Sequence, residues 1–247
     1  MNNFDYFCSA KLVKFYGMKA KNIAFLISFF LSVGFACAQN VESQYNYGDK
    51  EYYVLIETDY GNMTVKLYNE TPKHRDNFLK LVGEGFYDSL IFHRVINHFM
   101  IQGGDPNSKN ARPGQMLGDG TLGYTIPAEI VEGLYHKKGA LAAARQGDDV
   151  NPAKASSSCQ FYIVQGNVWN DGGLEMIQQR LGKTLNKNQI ELYKTVGGTP
   201  HLDGDYTVFG EVVEGLEVID KIAAVQCGQL DRPRVDVRMK MTIINRK

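Results

Sequence analysis

Residues 92–105 read Phe92-His93-Arg94-Val95-Ile96-Asn97-His98-Phe99-Met100-Ile101-Gln102-Gly103-Gly104-Asp105. One arginine stands among large apolar side chains, an amide follows at Gln102, and a double glycine closes the run. Arginine carries five donors on a planar fork and stays charged, so in apolar surroundings those donors must find acceptors. Either Arg94 is half of a structural ion pair, or its fork is held beside an apolar pocket to grip a ligand's carbonyl or lone pair. His93 and His98 are the other polar candidates. On one continuous strand they would face opposite sides, which argues against a metal pair. Gly103-Gly104-Asp105 reads as a turn. Asp203-Gly204-Asp205 is too short for a calcium loop.

The elements that must hold Arg94 can be read from periodicity. Phe92, Val95, Phe99 and Ile101 are aromatic or aliphatic residues that suit a pleated, half-buried surface, and a strand is expected over 91–102. Strands are also expected at Tyr52–Thr58 and Asn62–Tyr68, joined by Asp59-Tyr60-Gly61 as a hairpin, and at 139–144, 159–165, 206–213 and 235–245. Thr71-Pro72 predicts a helix start, with threonine as N-cap and proline at the first helical position. Phe78, Leu81 and Val82 give that helix an apolar face, and Gly83 or Gly85 ends it. A second helix fits 215–224, with Leu216, Ile219 and Ala223 on one side. Many strands and two helices predict a closed barrel with helices covering its ends. The 247 residues, 44% hydrophobic, suffice for one substantial core. With 27 basic and 27 acidic residues and no Lys/Arg run, nothing points to nucleic acid.

Three further segments, in order, extend the pattern. They are Gly139-Ala140-Leu141-Ala142-Ala143-Ala144-Arg145, Ser158-Cys159-Gln160-Phe161-Tyr162-Ile163, and His201-Leu202-Asp203-Gly204-Asp205-Tyr206-Thr207-Val208-Phe209-Gly210. Together with 92–105 and the Thr71–Phe86 helix they resemble the cyclophilin family of peptidyl-prolyl cis-trans isomerases over roughly residues 52–247, apart from one insertion. The resemblance implies an eight-stranded antiparallel barrel. It implies that Arg94 is the catalytic arginine and that Phe99, Met100, Tyr162 and Leu202 line a proline pocket. By the same match Gln102 and Gln160 supply side-chain amides, Ala144 and Arg145 offer backbone to the residue before proline, and Tyr206 stands where a histidine is common. His201 stands where many eukaryotic members carry a tryptophan that helps bind cyclosporin, so drug sensitivity is in doubt.

The implied chemistry makes sense of these residue types. Rotation about a peptide bond faces a barrier of ~18–20 kcal/mol, and an X-Pro bond takes tens of seconds or longer to interconvert. No covalent bond breaks, so the reaction calls for no nucleophile, metal or cofactor. The protein must bind the twisted amide better than either planar form. Twisting localises a lone pair on the proline nitrogen. An arginine donor can meet that lone pair or hold the adjacent carbonyl, while an apolar pocket fixes the ring. The competing reading is a non-catalytic proline-peptide binding or chaperone module using the same groove; the presence of Arg94 favours the enzyme.

Three segments lie outside the pattern. Lys19 and Lys21, an apolar run from Ile23 to Phe35, and Ala36-Cys37-Ala38 make a secretory leader over residues 1–38, with Met18 the better start. The run is short for a membrane span. Gly34-Phe35-Ala36-Cys37 also resembles a bacterial lipoprotein box, which would tether the protein at Cys37. Residues 39–51 read as a linker. Of the cysteines beyond the leader, Cys159 is expected to be a buried free thiol, although Cys159 and Cys227 could pair in an oxidising compartment. The insertion spans about 167–199. Leu174, Ile177 and Leu181 share a helical face closed by Gly182. Asn186 with Gln189 forms a capping box, Leu185 with Ile190 a hydrophobic staple, and Ile190, Tyr193 and Val196 continue a face up to Gly197-Gly198. This helical hairpin reads as surface decoration, or alternatively as a lid or partner-docking element.

The sequence therefore predicts an exported, periplasmic, monomeric isomerase. It would be mainly β, a closed barrel capped by two helices, acting on proline-containing polypeptide clients without a cofactor.

Overall fold

Alternation of side chains along short strands builds the scaffold. β1 (Tyr52–Thr58) and β2 (Gly61–Leu67) pair antiparallel around the expected turn, with Thr58 opposite Gly61. Val54, Ile56, Met63, Val65 and Leu67 all face inward and are buried. In this computed structural model the described residues are Gly48 and residues 50–245. The leader read over 1–38, Cys37 and most of the linker lie outside them. Among the described residues no helix is long and apolar enough to cross a membrane.

The strand expected over 91–102 is two strands. Asn97 and His98 turn the chain between β3 (Arg94–Ile96) and β4 (Met100–Gly103), which pair antiparallel. His98 takes a positive φ of 63° and the Phe99 amide donates to the Ile96 carbonyl at 3.1 Å. Asparagine and histidine tolerate such turn geometry better than most residues, and strand propensity on either side hides it. His98 therefore sits at an exposed turn, while His93 is buried.

Further strands are β5 (Thr125–Ile126), β6 (Ala140–Ala143), β7 (Ser156–Ser157), β8 (Phe161–Val164), β9 (Val208–Glu214) and β10 (Met239–Ile244). Eight of them form one antiparallel sheet in the order β10-β1-β2-β9-β6-β8-β4-β3, while β5 and β7 pair separately. The sheet bends at irregularities between Thr64 and Val65 and between Leu141 and Ala142, as bulges do. It curls into a half-barrel, so the expected closed barrel is corrected. Its edges, β3 and β10, share no ladder. Only the segment before β3 reaches the other edge. The Phe92 amide donates to the Val237 carbonyl (3.0 Å) and the Met239 amide to the Leu90 carbonyl (2.9 Å).

Four α-helices accompany the sheet among the described residues. α1 (Pro72–Gly83) and α4 (Leu216–Ala223) are the two expected to cover it, and α2 (Asp171–Leu181) and α3 (Lys187–Thr195) form the inserted hairpin. α1 buries Phe78, Leu79, Leu81 and Val82 in the interior; α4 buries Val218, Ile219, Ile222 and Ala223 there, while Leu216 is 40% exposed. Phe161 from β8 meets Phe78, Tyr87 and Phe92 edge-on at 5.6–6.2 Å, the favoured arrangement for ring quadrupoles.

Thr71 is the N-cap of α1 by position, but its hydroxyl makes no capping bond. Glu129, from a distant loop, does the work instead. Its carboxylate accepts from the Lys73 and His74 amides at 3.1 and 3.0 Å and from His74 Nδ1 at 2.7 Å. A carboxylate at a helix N-terminus satisfies orphan donors and complements the dipole.

The central strands are buried on both faces. Val95, Ile101, Leu141 and Ile163 join the interior of the half-barrel, whereas Met100, Ala140, Ala142, Tyr162 and Val164 form a second cluster on its outer side. That outer cluster is the floor of the candidate site.

Candidate active site

Strand pairing sets four side chains in one row. Arg94 on β3 lies opposite Gln102 on β4, Gln102 opposite Tyr162 on β8, and Tyr162 opposite Ala142 on β6. Directly opposed residues point to the same face of a sheet. The row crosses a cleft of about 300 Å³, within the range of ligand pockets. Phe99, Met100, Tyr162 and Leu202 give its apolar wall, and Ala144, Arg145 and Tyr206 its far side. Nine of the ten residues expected at the site thus line one cleft. The tenth, Gln160, sits just behind them.

Gln160 completes a chain of donors. Arg94 Nη1 donates to Gln102 Oε1 at 3.3 Å, Gln102 Nε2 donates to Gln160 Oε1 at 3.2 Å, and Gln160 Nε2 donates to the carbonyls of Gly118 and Gly120 at 2.8 Å each. The two ends fix every orientation: a guanidinium only donates and a carbonyl only accepts, so both amides can face one way alone. Arg94 is half-exposed at the rim. Its ion pair with Asp231 is long, 3.6 Å, and both side chains are more than 40% exposed; exposed pairs of this kind hold little energy. The structural ion pair therefore does not account for the arginine, which keeps donors facing the cleft.

The Arg145 side chain turns its charge away from the cleft. Its side chain is 4% exposed. Nε donates to the Asp205 carbonyl at 2.7 Å, and Nη1 lies 2.6 Å from Asp148. The guanidinium stacks over the Tyr206 ring at 4.4 Å and so props the cleft's far wall. Neither backbone polar group of Arg145 is engaged by another described residue, which leaves that edge open.

Below the floor, Tyr162 Oη meets His136 Nε2 at 3.0 Å, and His136 Nδ1 meets Asp203 Oδ1 at 2.9 Å. A carboxylate only accepts, so Nδ1 is assigned a proton, and Nε2 is left to pair with the Tyr162 hydroxyl. Tyr162 thus spends its polar group away from the cleft and offers it a ring face. Burial pushes the Tyr162 hydroxyl's pKa well up, which keeps it a donor. Burial would also raise the Asp203 carboxyl, but hydrogen bonds from His136 and Tyr193 hold it below the usual carboxylate range.

Sequence reading missed His136, Asp203, Gly118 and Asp119. His136 and Asp203 are 67 positions apart and carry no local pattern. Gly118 and Asp119 come from a loop after the double glycine that only the fold brings to the cleft. One lure is also resolved. Ser156, His74 and Glu129 stand in triad order, with His74 Nε2 2.8 Å from Ser156 Oγ. Ser156 is 1% exposed and the hollow beside it is about 10 Å³, too small for a substrate. Cys159 and Cys227 are both free, and burial pushes both thiols' pKa values up, so neither is an activated nucleophile.

A curled antiparallel sheet whose outer face carries an oriented arginine above an apolar floor defines a proline-peptide isomerase class. The family model described as cyclophilin type peptidyl-prolyl cis-trans isomerase/CLD matches residues 53–243, and the chain belongs to that family. A Staphylococcus epidermidis protein named as a putative peptidyl-prolyl cis-trans isomerase is 35% identical over 190 residues, covering 76% of this chain and 89% of the relative. A Streptococcus pyogenes protein named as a putative bifunctional phosphatase/peptidyl-prolyl cis-trans isomerase is 38% identical over 188 residues; the match covers 74% of this chain but only 37% of that longer protein. A crystal structure of a Cryptosporidium parvum cyclophilin type peptidyl-prolyl cis-trans isomerase superposes with a TM-score of 0.57 at 25% identity, over 80% of this chain and all of that one. A second structure of it, in the presence of the dipeptide Ala-Pro, gives a TM-score of 0.55. The activity is that of a peptidyl-prolyl cis-trans isomerase, EC 5.2.1.8.

Proposed function

We propose that the cleft turns X-Pro bonds of exported polypeptides, with Arg94 as the catalytic residue. The observation that carries this is the donor chain from Arg94 through Gln102 and Gln160 to two backbone carbonyls, which aims a preset fork over an apolar floor. The proline ring sits on Met100, Phe99, Leu202 and the Tyr162 face. The open backbone of Arg145, beside Ala144, takes the residue before proline. As the amide twists, Arg94 meets the nitrogen lone pair or holds the neighbouring carbonyl, an interaction the planar ground states lack. The reaction draws on no cofactor, because no bond is made or broken. The parasite relative's crystal structure in the presence of the dipeptide Ala-Pro supports a proline-peptide ligand.

The leader read over residues 1–38 supports export to the periplasm, with clients among envelope or secreted chains; lipidation at Cys37 would instead anchor it to a membrane. A protease-coupled assay with proline tetrapeptides tests the activity, and Arg94→Ala tests the site. Mass spectrometry of the protein from its native host tests export. A mature start at Gln39 or a lipidated Cys37 agrees with it, and retention of residues 1–17 refutes it.

A further inference from the structure

The inserted hairpin is not loose decoration. Its base is closed at Gly198, whose amide donates to the Asn167 carbonyl at 2.9 Å and whose carbonyl accepts from Trp169 Nε1 at 2.9 Å. A side chain there would lie 2.2 Å from the His136 carbonyl, and φ is +144°, so only glycine lets the hairpin approach the barrel this closely. Leu174, Leu185 and Tyr193 bury together inside the hairpin. Its capping box at Asn186 and Gln189 forms as expected, and Gly182 ends α2 in the left-handed conformation.

Gln189 and Tyr193 stand four residues apart on α3, on one face. Both point at the same carboxylate oxygen. Tyr193 Oη donates to Asp203 Oδ2 at 2.7 Å and Gln189 Nε2 donates to it at 2.9 Å. The other oxygen, Oδ1, accepts from the His136 amide and from His136 Nδ1, each at 2.9 Å. Asp203 is thus held by the insertion on one oxygen and holds His136 with the other. His136 in turn takes the hydroxyl of Tyr162. The side chains of Asp203 and His136 are 9% and 1% exposed, so water does not readily replace a lost donor. A carboxylate's terminal torsion is broad and soft, and without the two donors from α3 the group is held through Oδ1 alone, by the His136 amide and ring.

We propose that Tyr193 and Gln189 are positioning residues for the isomerase site, acting through Asp203 and His136 to set the Tyr162 ring that forms the floor under proline. The inference rests on the assignment of the cleft as the active site. It makes the insertion a part of the catalytic scaffold and a place where an event on the hairpin alters turnover.

A double-mutant cycle tests it in the full chain with a proline tetrapeptide. Tyr193→Phe should lower kcat/KM roughly five-fold, the size of effect expected when a supporting hydrogen bond to a buried charge is lost. In a Tyr162→Phe background the relay no longer reaches the cleft, so adding Tyr193→Phe should change nothing further. Gln189→Glu keeps the capping box but turns an acceptor toward Asp203; it should fold and lose more activity than Tyr193→Phe. Melting curves for each variant identify loss by unfolding, and Gln189→Glu serves if Tyr193→Phe fails to fold. An unchanged kcat/KM in folded Tyr193→Phe and Gln189→Glu overturns the proposal, as does an equal loss in both backgrounds. Arg94→Ala, run alongside, separates the failures. If it stays active the cleft assignment is wrong; if it is inactive while the cycle shows no coupling, only the relay is wrong.

Discussion

Arg94 and Gln102 are direct cross-strand partners on β3 and β4, and the arginine's Nη1 donates to the glutamine's side-chain oxygen at 3.3 Å. The contact gives the half-exposed guanidinium a partner that is itself held, because Gln102 donates to Gln160. Positioning, rather than the mere presence of a charge, is what a preorganised site requires.

Removal of the donor should therefore show in turnover and leave the fold alone. Arg94→Ala is expected to lower kcat/KM on the order of 100-fold, in line with loss of one transition-state donor, with unchanged circular dichroism. Arg94→Lys should fail almost as badly, since an ammonium lacks the fork. Gln102→Leu should cost less, roughly ten-fold, because it loosens the arginine without deleting it. Activity within two-fold of the parent for Arg94→Ala would rule out its assigned role.

Cyclosporin should inhibit weakly. His201 stacks on Phe99 with ring centroids 5.6 Å apart, a smaller plate than the indole of many eukaryotic members. An indole adds area and a single N–H donor. His201→Trp should tighten inhibition in the same tetrapeptide assay. Nanomolar inhibition of the parent would contradict the argument.

Acid should weaken the fold through His93. It is 3% exposed, neither ring nitrogen has a partner among the described residues, and burial lowers its pKa from 6.5 to about 4. Above pH 6.5 folded and unfolded chains are both neutral at this group. Between 6.5 and about 4 the unfolded chain gains a proton that the folded one refuses. Stability therefore falls with pH across that window, by about 3 kcal/mol at its lower end. Urea unfolding at pH 7 and pH 4.5 should show a smaller acid loss for His93→Phe than for the parent. Equal losses would refute the assignment.

The start of α1 should depend on Glu129 rather than Thr71. Glu129→Ala removes the acceptor for two amides and His74, and should cost about 2 kcal/mol. Thr71→Val, which keeps the volume and deletes a hydroxyl that caps nothing, should cost under about 1 kcal/mol. Thermal melts of both variants decide the order, and the reverse order would show that the local cap is the working one.

What the sequence by itself determined was local or carried by ordered motifs. The hairpin of β1 and β2, the apolar face of α1, the Asn186–Gln189 capping box and the Gly182 stop each depend on residues within one turn of chain, where propensity and spacing act directly. The residues of the cleft were legible because four motifs resemble a known family, not because their chemistry is distinctive alone. Met100 and Leu202 would pass for ordinary core. Tertiary structure decided the rest, because it turns on contacts between distant positions. The strand read over 91–102 folds back at Asn97-His98, a turn masked by strand-forming neighbours, and whether the two edge strands meet is decided by pairing between positions far apart in the chain. The cap of α1 comes from Glu129, 55 residues beyond His74. Asp203 joins α3, His136 and Tyr162, residues whose separation along the chain carries no periodic signal. A carboxylate's partners are set by which donors the fold brings within 3 Å, and that is a property of packing, which no local pattern encodes.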